Sequence, residues 1–137
     1  TQPVGEVWFP DDARRFLGST FDPSGLYRFN AVRRMLDAEA LDTVTIANHA
    51  KRLQKEFLKN THLANLELLN SPGPGPGARF LAYRGNRAEA IRASLAARGI
   101  DVDVRNHLLR IGFSIYHDED DVQRLIAATW DRRTGRS

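Results

Sequence analysis

A chain of 137 residues, 42% hydrophobic and 27% charged, has the make-up of a soluble globular protein with one modest core, as one domain or one domain with an extension. Zero cysteines exclude a disulfide framework and thiolate chemistry, no run approaches the roughly 20 apolar residues of a membrane span, and no signal pattern opens the chain, so a cytoplasmic protein without membrane contact is expected. The net charge of +3 rests on three lysines and many arginines spread along the chain without the aromatic-basic interleaving that stacks bases, so no nucleic-acid partner is expected.

Residues 1–21 lack a helical period and read as an extended lead-in that ends in a Gly-Ser-Thr turn. A helix start follows: Asp22 can cap, Pro23 suits the first helical position, and Leu26, Phe29, Val32 and Leu36 make one stripe. The pattern restarts at Asp42, where Ile46, Ala50, Leu53 and Phe57 fall on one face. Residues 22–60 are therefore expected as linker helices, two in number or one with a bend. "LELLN" reads as a short strand and "SPGPGPG" as a loop, because alternating Pro and Gly cannot hold regular structure.

The rest of residues 61–137 reads as a small C-terminal α/β domain. "ARFLAYRG" is a strand. "NRAEAIRASLAARG" is a helix with Asn86 and Glu89 in a capping-box spacing, Ala88, Ile91 and Leu95 facing inward, and Gly99 closing it. "IDVDV" alternates strictly, "RNH" turns the chain, "LLRIGFSIY" is the next strand and "DEDDVQRLIAATW" the last helix. The fold class expected is α/β of the α+β type: a helical N-terminal segment, then strand-helix-strand-strand-helix with a largely antiparallel sheet covered by helices.

Two features invite a chemical reading. The acids Asp118, Glu119, Asp120 and Asp121 sit in the first turn of the last helix, where Asp118 caps and the others complement the positive helix end. Consecutive helical residues diverge, so they do not converge on a metal. Arg110 lies within an apolar strand. Alternation puts Leu109, Ile111 and Phe113 on a core face, and Leu108, Arg110, Gly112 and Ser114 on the other. A guanidinium beside a glycine and a serine suits a carboxylate held by two parallel hydrogen bonds. The competing reading pairs Arg110 with Asp101 or Asp103 on the neighbouring strand.

"LAARGIDVDVRNHLLRIGFSIYHDEDDVQRLIAA" resembles the closing segment of class V aminotransferase-type enzymes, which use pyridoxal phosphate. Within it, "RIGFSIYHDEDDVQRL" follows that family's arginine strand, its aliphatic-Tyr-Asn/His turn and its acid-rich helix start. The resemblance implies that Arg110 binds the α-carboxylate of an amino-acid substrate. "FLGSTFDPS" is similar to the family's Gly-Ser/Thr segment, which implies that Ser19 and Thr20 contact the cofactor phosphate of the other subunit in a homodimer; a turn before a capped helix offers N–H groups and hydroxyls suited to that role. The likeness runs from about Phe16 to Trp130.

The departures are as informative. The family's Schiff-base lysine lies in a large domain, upstream of the Gly-Ser/Thr segment, whereas Lys51, Lys55 and Lys59 form a solvated stripe on one helix. The aromatic that stacks on the pyridine ring and the aspartate that pairs with its nitrogen are missing too. The resemblance thus implies a smaller C-terminal domain whose partner is the large pyridoxal-phosphate-binding domain, and a chain inactive alone. Without a cysteine the desulfurase branch is disfavoured, leaving kynureninase-like and general aminotransferase branches. Tyr116 and His117, just past the Arg110 strand, either line a pocket mouth or, for Tyr116, pack on the last helix; His49, His62 and His107 are expected in surface positions. Two other classes remain open: an amino-acid-binding regulatory module that uses the same Arg110, and a DNA-binding helical element over residues 22–60 with "RRMLD" and "KRLQK" toward phosphate.

Overall fold

Both helix starts marked by an aspartate are present in the computed structural model, which describes residues 9–16, 22–61, 63, 65–75 and 77–129. The chain divides into two units, Thr1–Ala40 and Leu41–Ser137. In the first, a 3-10 turn at Ala13–Phe16 is steadied by Asp12, whose carboxylate accepts the backbone N–H of Arg14 at 2.9 Å. Helix α1 spans Ser24–Ala38. Asp22 Oδ1 accepts the Ser24 N–H at 2.9 Å, and Pro23 stands one place earlier than expected, at the N-cap. The helix stops at Ala40, whose φ of 53° leaves the helical region. No residue of α1 is buried, and Leu26, Phe29 and Val32 remain exposed.

The second unit begins at Asp42, whose Oδ1 caps helix α2 (Thr43–Asn60) by accepting the Thr45 N–H at 2.7 Å. Its apolar stripe is the expected one, with Ala50, Leu53 and Phe57 buried. The division of the chain thus falls between the two helices: α2 is a wall of the core rather than part of a linker. Gln54 is also buried there, and its Nε2 donates to the Ala78 carbonyl at 2.9 Å, while Lys51 donates to the carbonyl of Gly75. A buried amide needs such a partner. Together the two side chains strap the Pro-Gly loop to α2.

Four strands follow: β1 (Glu67–Leu68), β2 (Phe80–Arg84), β3 (Asp103–Arg105) and β4 (Leu108–Gly112), in the spatial order β1-β2-β4-β3, every pairing antiparallel. β1 is two residues long, but Asn70 lengthens its ladder with a side chain: its Nδ2 donates to the Phe80 carbonyl at 2.8 Å and its Oδ1 accepts the Ala82 N–H at 2.6 Å. At Gly85 a Cβ would run into the Leu66 side chain, so glycine lets the core leucine approach without a shift.

Helix α3 (Ala88–Ala96) starts without the expected capping box. The Ala88 N–H donates to the Gly85 carbonyl at 3.1 Å, so the turn itself satisfies a first-turn donor and the helix begins after Arg87. Glu89 then stands at the second helical position instead of the third that a capping box needs, and it pairs with Arg92. The other end closes as read: Gly99, at φ 73°, lets the Ile100 N–H reach the Leu95 carbonyl at 3.0 Å. Helix α4 (Glu119–Thr129) opens on a reciprocal cap, in which Asp118 Oδ1 accepts the Asp121 N–H at 3.0 Å and Asp121 Oδ2 accepts the Asp118 N–H at 3.1 Å.

The core lies on one face of the sheet. Leu81, Tyr83, Leu109, Ile111 and Phe113 meet Leu53 and Phe57 of α2, Ala88 and Leu95 of α3, and Val122, Leu125 and Ile126 of α4. Ile100, Val102 and Val104 border it from the β3 side, although only the last falls within the strand. Among the described residues no helix is long and apolar enough to cross a membrane.

Two stability measurements follow. The Tyr83 hydroxyl is buried with no hydrogen-bond partner among the described residues, and burial pushes its pKa up to about 12. Tyr83→Phe removes that burden and is expected to leave the denaturant midpoint unchanged or to stabilise by up to about 1 kcal/mol, whereas Ile111→Ala costs about 2–5 kcal/mol as a core truncation. Hydrogen bonds hold the carboxyls of Asp42 (from the Thr45 N–H) and Asp121 (from Arg124, then the Asp118 N–H) below their ordinary range. Both titrate lower folded than unfolded, so the stability they add is complete above about pH 4 and drains away as the pH falls through the folded values. Tm is expected to drop below that pH, less steeply in Asp121→Asn.

Candidate functional site

The outer face of the sheet is set by one short turn. Asn106 and His107 connect β3 to β4 with φ of 47° and 65°, the two left-handed residues that a two-residue hairpin of the right twist requires. That loop length pairs Arg105 with Leu108 and Asp103 with Arg110. On the other side of β4, Ala82 lies across from Arg110 and Phe80 across from Gly112. Strand alternation then gathers Phe80, Ala82, Asp103, Arg105, Arg110 and Gly112 on the face opposite the core.

Arg110 is not an unpaired cation there. Its Nε donates to Asp103 Oδ2 at 2.8 Å, and its Nη2 donates to the same oxygen. Of the two readings left open above, the cross-strand pair with Asp103 is the one that forms, because the turn puts the two residues in direct register. The Phe80 ring sits 5.7 Å from the guanidinium carbon, within cation-π range. Arg105 adds its Nε to Asp103 Oδ2 at 3.2 Å. The carboxyl of Asp103 is held below its usual range chiefly by the Arg110 hydrogen bonds, with Arg105 contributing.

The pair is still open to ligand. The side chains of Arg110 and Asp103 keep 32% and 46% of their surface exposed, and Arg110 Nη1 has no hydrogen-bond partner among the described residues. A Cβ added at Gly112 would meet nothing within 4 Å, so there is space above the strand beside the arginine. Two guanidiniums share one carboxylate, which leaves the cluster short of one negative charge. Such an arrangement can receive a planar anion.

The remaining candidates are distributed differently. Ser19 and Thr20 lie outside the described residues, as does His62. Tyr116 does not pack on α4; it is 76% exposed, with its ring edge-on to His117 at a centroid distance of 4.7 Å. His117 Nδ1 accepts the Ser114 N–H at 3.0 Å, and its carbonyl receives His49 Nε2 at 2.9 Å. His49 is therefore a tie between α2 and the approach to α4 rather than a surface residue. Its Nδ1 accepts from Arg52 at 3.2 Å, and Arg52 also pairs with Glu119. His117 lines a groove of about 620 Å³ between the end of α3, the end of β4 and α4, floored by Val102, Phe113 and Leu125 and edged by Arg98 and Arg124. Arg110 does not line it, although Gly112, two residues further along the same strand, does.

The described residues do not fit pyridoxal phosphate as a covalent guest. Lys51 is bound to Gly75, Lys59 pairs with Glu56 at 3.1 Å, and Lys55 is exposed on the same helix, which packs on the core side of the sheet. None stands on the face that carries Arg110. Phe80 and Arg105 escaped the sequence reading. Alternation along β2 puts Phe80 on one face with Ala82 and Arg84, but nothing local in the sequence tells which strand lies beside β2.

Because the Arg110–Asp103 pair is partly exposed and Asp103 retains Arg105, Arg110→Leu is expected to change stability by no more than about 1 kcal/mol in either direction, read from urea midpoints. No known protein-family model matches the chain, and no curated protein matches it.

Proposed function

We propose that the chain is the smaller, C-terminal domain of a class V aminotransferase-type, pyridoxal-phosphate-dependent enzyme of the kynureninase-like or general aminotransferase branch. In this reading Arg110 receives the α-carboxylate of the amino-acid substrate. The observation that carries the proposal is the Arg110 guanidinium on the open face of an antiparallel sheet, with Nη1 unpartnered, space over Gly112 and a local deficit of negative charge. The resemblance of residues 95–128 to the family's closing segment supplies the chemical context.

The partner is a large domain that brings the Schiff-base lysine, and the assembled enzyme is a cytoplasmic homodimer in which Ser19 and Thr20 reach the cofactor phosphate of the other subunit. Since the lysines of this chain are on α2, the chemistry at the cofactor is left to that domain, and this chain contributes substrate orientation. A bidentate grip on a carboxylate fixes both the position and the plane of the group attached to it.

Two measurements test the reading. The 137-residue chain mixed with pyridoxal phosphate is expected to show no internal-aldimine absorbance and no turnover; an aldimine band abolished by borohydride overturns the division of labour. In the enzyme assembled with its lysine-bearing domain, Arg110→Leu is expected to raise KM for the amino acid at least tenfold, because a charge-assisted bidentate contact is lost. An unchanged KM refutes the clamp. Micromolar affinity of the isolated chain for an amino acid, with no cofactor present, marks a regulatory module instead.

A further inference from the structure

We infer that Asp103 is a positioning residue that grips the side edge of the Arg110 guanidinium and leaves the end edge as the docking edge for a planar carboxylate. The inference rests on the reading of Arg110 given above and adds to it the geometry of approach and a second residue.

A guanidinium offers two edges of paired N–H groups, one formed by Nε and one Nη, the other by the two Nη atoms. Asp103 takes the first with a single oxygen, since Nε and Nη2 both donate to Oδ2. The same oxygen forms an ion pair with the Nε of Arg105 at 3.2 Å, so two guanidiniums converge on it. Asp103 is thereby committed to holding the arginine and is poorly placed to move around it. Its backbone is pinned across from Arg110 by the strand register. The Phe80 ring, 5.7 Å from the guanidinium carbon, restricts the plane. What is left is the Nη1–Nη2 edge, beside the open space over Gly112. A carboxylate there makes two parallel hydrogen bonds and brings the cluster of two arginines and Asp103 to neutrality.

The chain labelled with carbon-13 and nitrogen-15 is titrated with sodium acetate at constant ionic strength, and the Arg110 side-chain resonances are followed. Acetate is expected to shift the Nη signals to saturation while the Nε–H signal, already occupied by Asp103, stays in place. Asp103→Asn is expected to weaken acetate binding at least fivefold and to let the Nε–H signal move with ligand. Asp103→Glu keeps the charge but displaces the carboxylate, and is expected to fall between; it also carries the test should the Asn variant fold poorly. Affinity unchanged in both variants overturns the positioning role alone and leaves the clamp standing. Tighter binding in Asp103→Asn identifies Asp103 as a competitor and overturns the inference. A wild-type chain that does not saturate removes the clamp itself and this inference with it.

Discussion

The two-residue connection at Asn106 and His107 governs the second half of the molecule. Side chains alternate along a strand with a period of two, so one residue more in that turn would exchange the faces of β3 relative to β4. Asp103 would then point into the core and Val104 toward solvent. With the turn as it is, Leu109 lies across from Val104 on the core side and Arg110 across from Asp103 on the outer side. Both the packing of the sheet and the orientation of the arginine follow from this register. The turn holds its shape at some cost, since a histidine at φ 65° occupies a region that side chains with a Cβ rarely adopt.

The two faces of the sheet have divided physical tasks. The inner one is closed by α2, α3 and α4 around residues with almost no exposed surface, and polar ties secure the joints: Gln54 to Ala78, His49 to the carbonyl of His117, Arg52 to Glu119. The outer one keeps paired charges half in solvent, Glu67 with Arg84 and Asp103 with Arg110 and Arg105. Partly exposed pairs contribute little to stability. The fold therefore rests on the inner face, and the outer face is free to vary its chemistry without loss of the scaffold.

Much of this was legible from residue order. The stripe of α2, the restart of the helical pattern at Asp42, the closure at Gly99 and the acidic start of α4 are local signals, and each is present as read. Expectations that depended on neighbours distant in sequence fared less well. The box at Asn86 and Glu89 had the right spacing, but the Gly85–Ala88 turn starts the helix one residue later, after Arg87, and puts both residues out of the box positions. Only Asp103 and Val104 of "IDVDV" fall within the strand, although Ile100 and Val102 still border the core. The choice between Asp101 and Asp103 as partner of Arg110 turned on register, and Phe80 entered the site only through the order β1-β2-β4-β3. The placement of Ser19 and Thr20 falls outside the described residues.

The edges of the sheet have their own consequence. β1 is two residues long and continues through the Asn70 side chain toward Pro72, while β3 is three residues long and runs into the hairpin turn. Neither offers a run of backbone donors and acceptors long enough to recruit another strand. Growth of this sheet by edge-to-edge addition is disfavoured at both of its described edges. A protein partner that engages this sheet must come to it broadside, where it meets side chains rather than backbone, and its recognition is then set by residues such as Phe80 and Arg110.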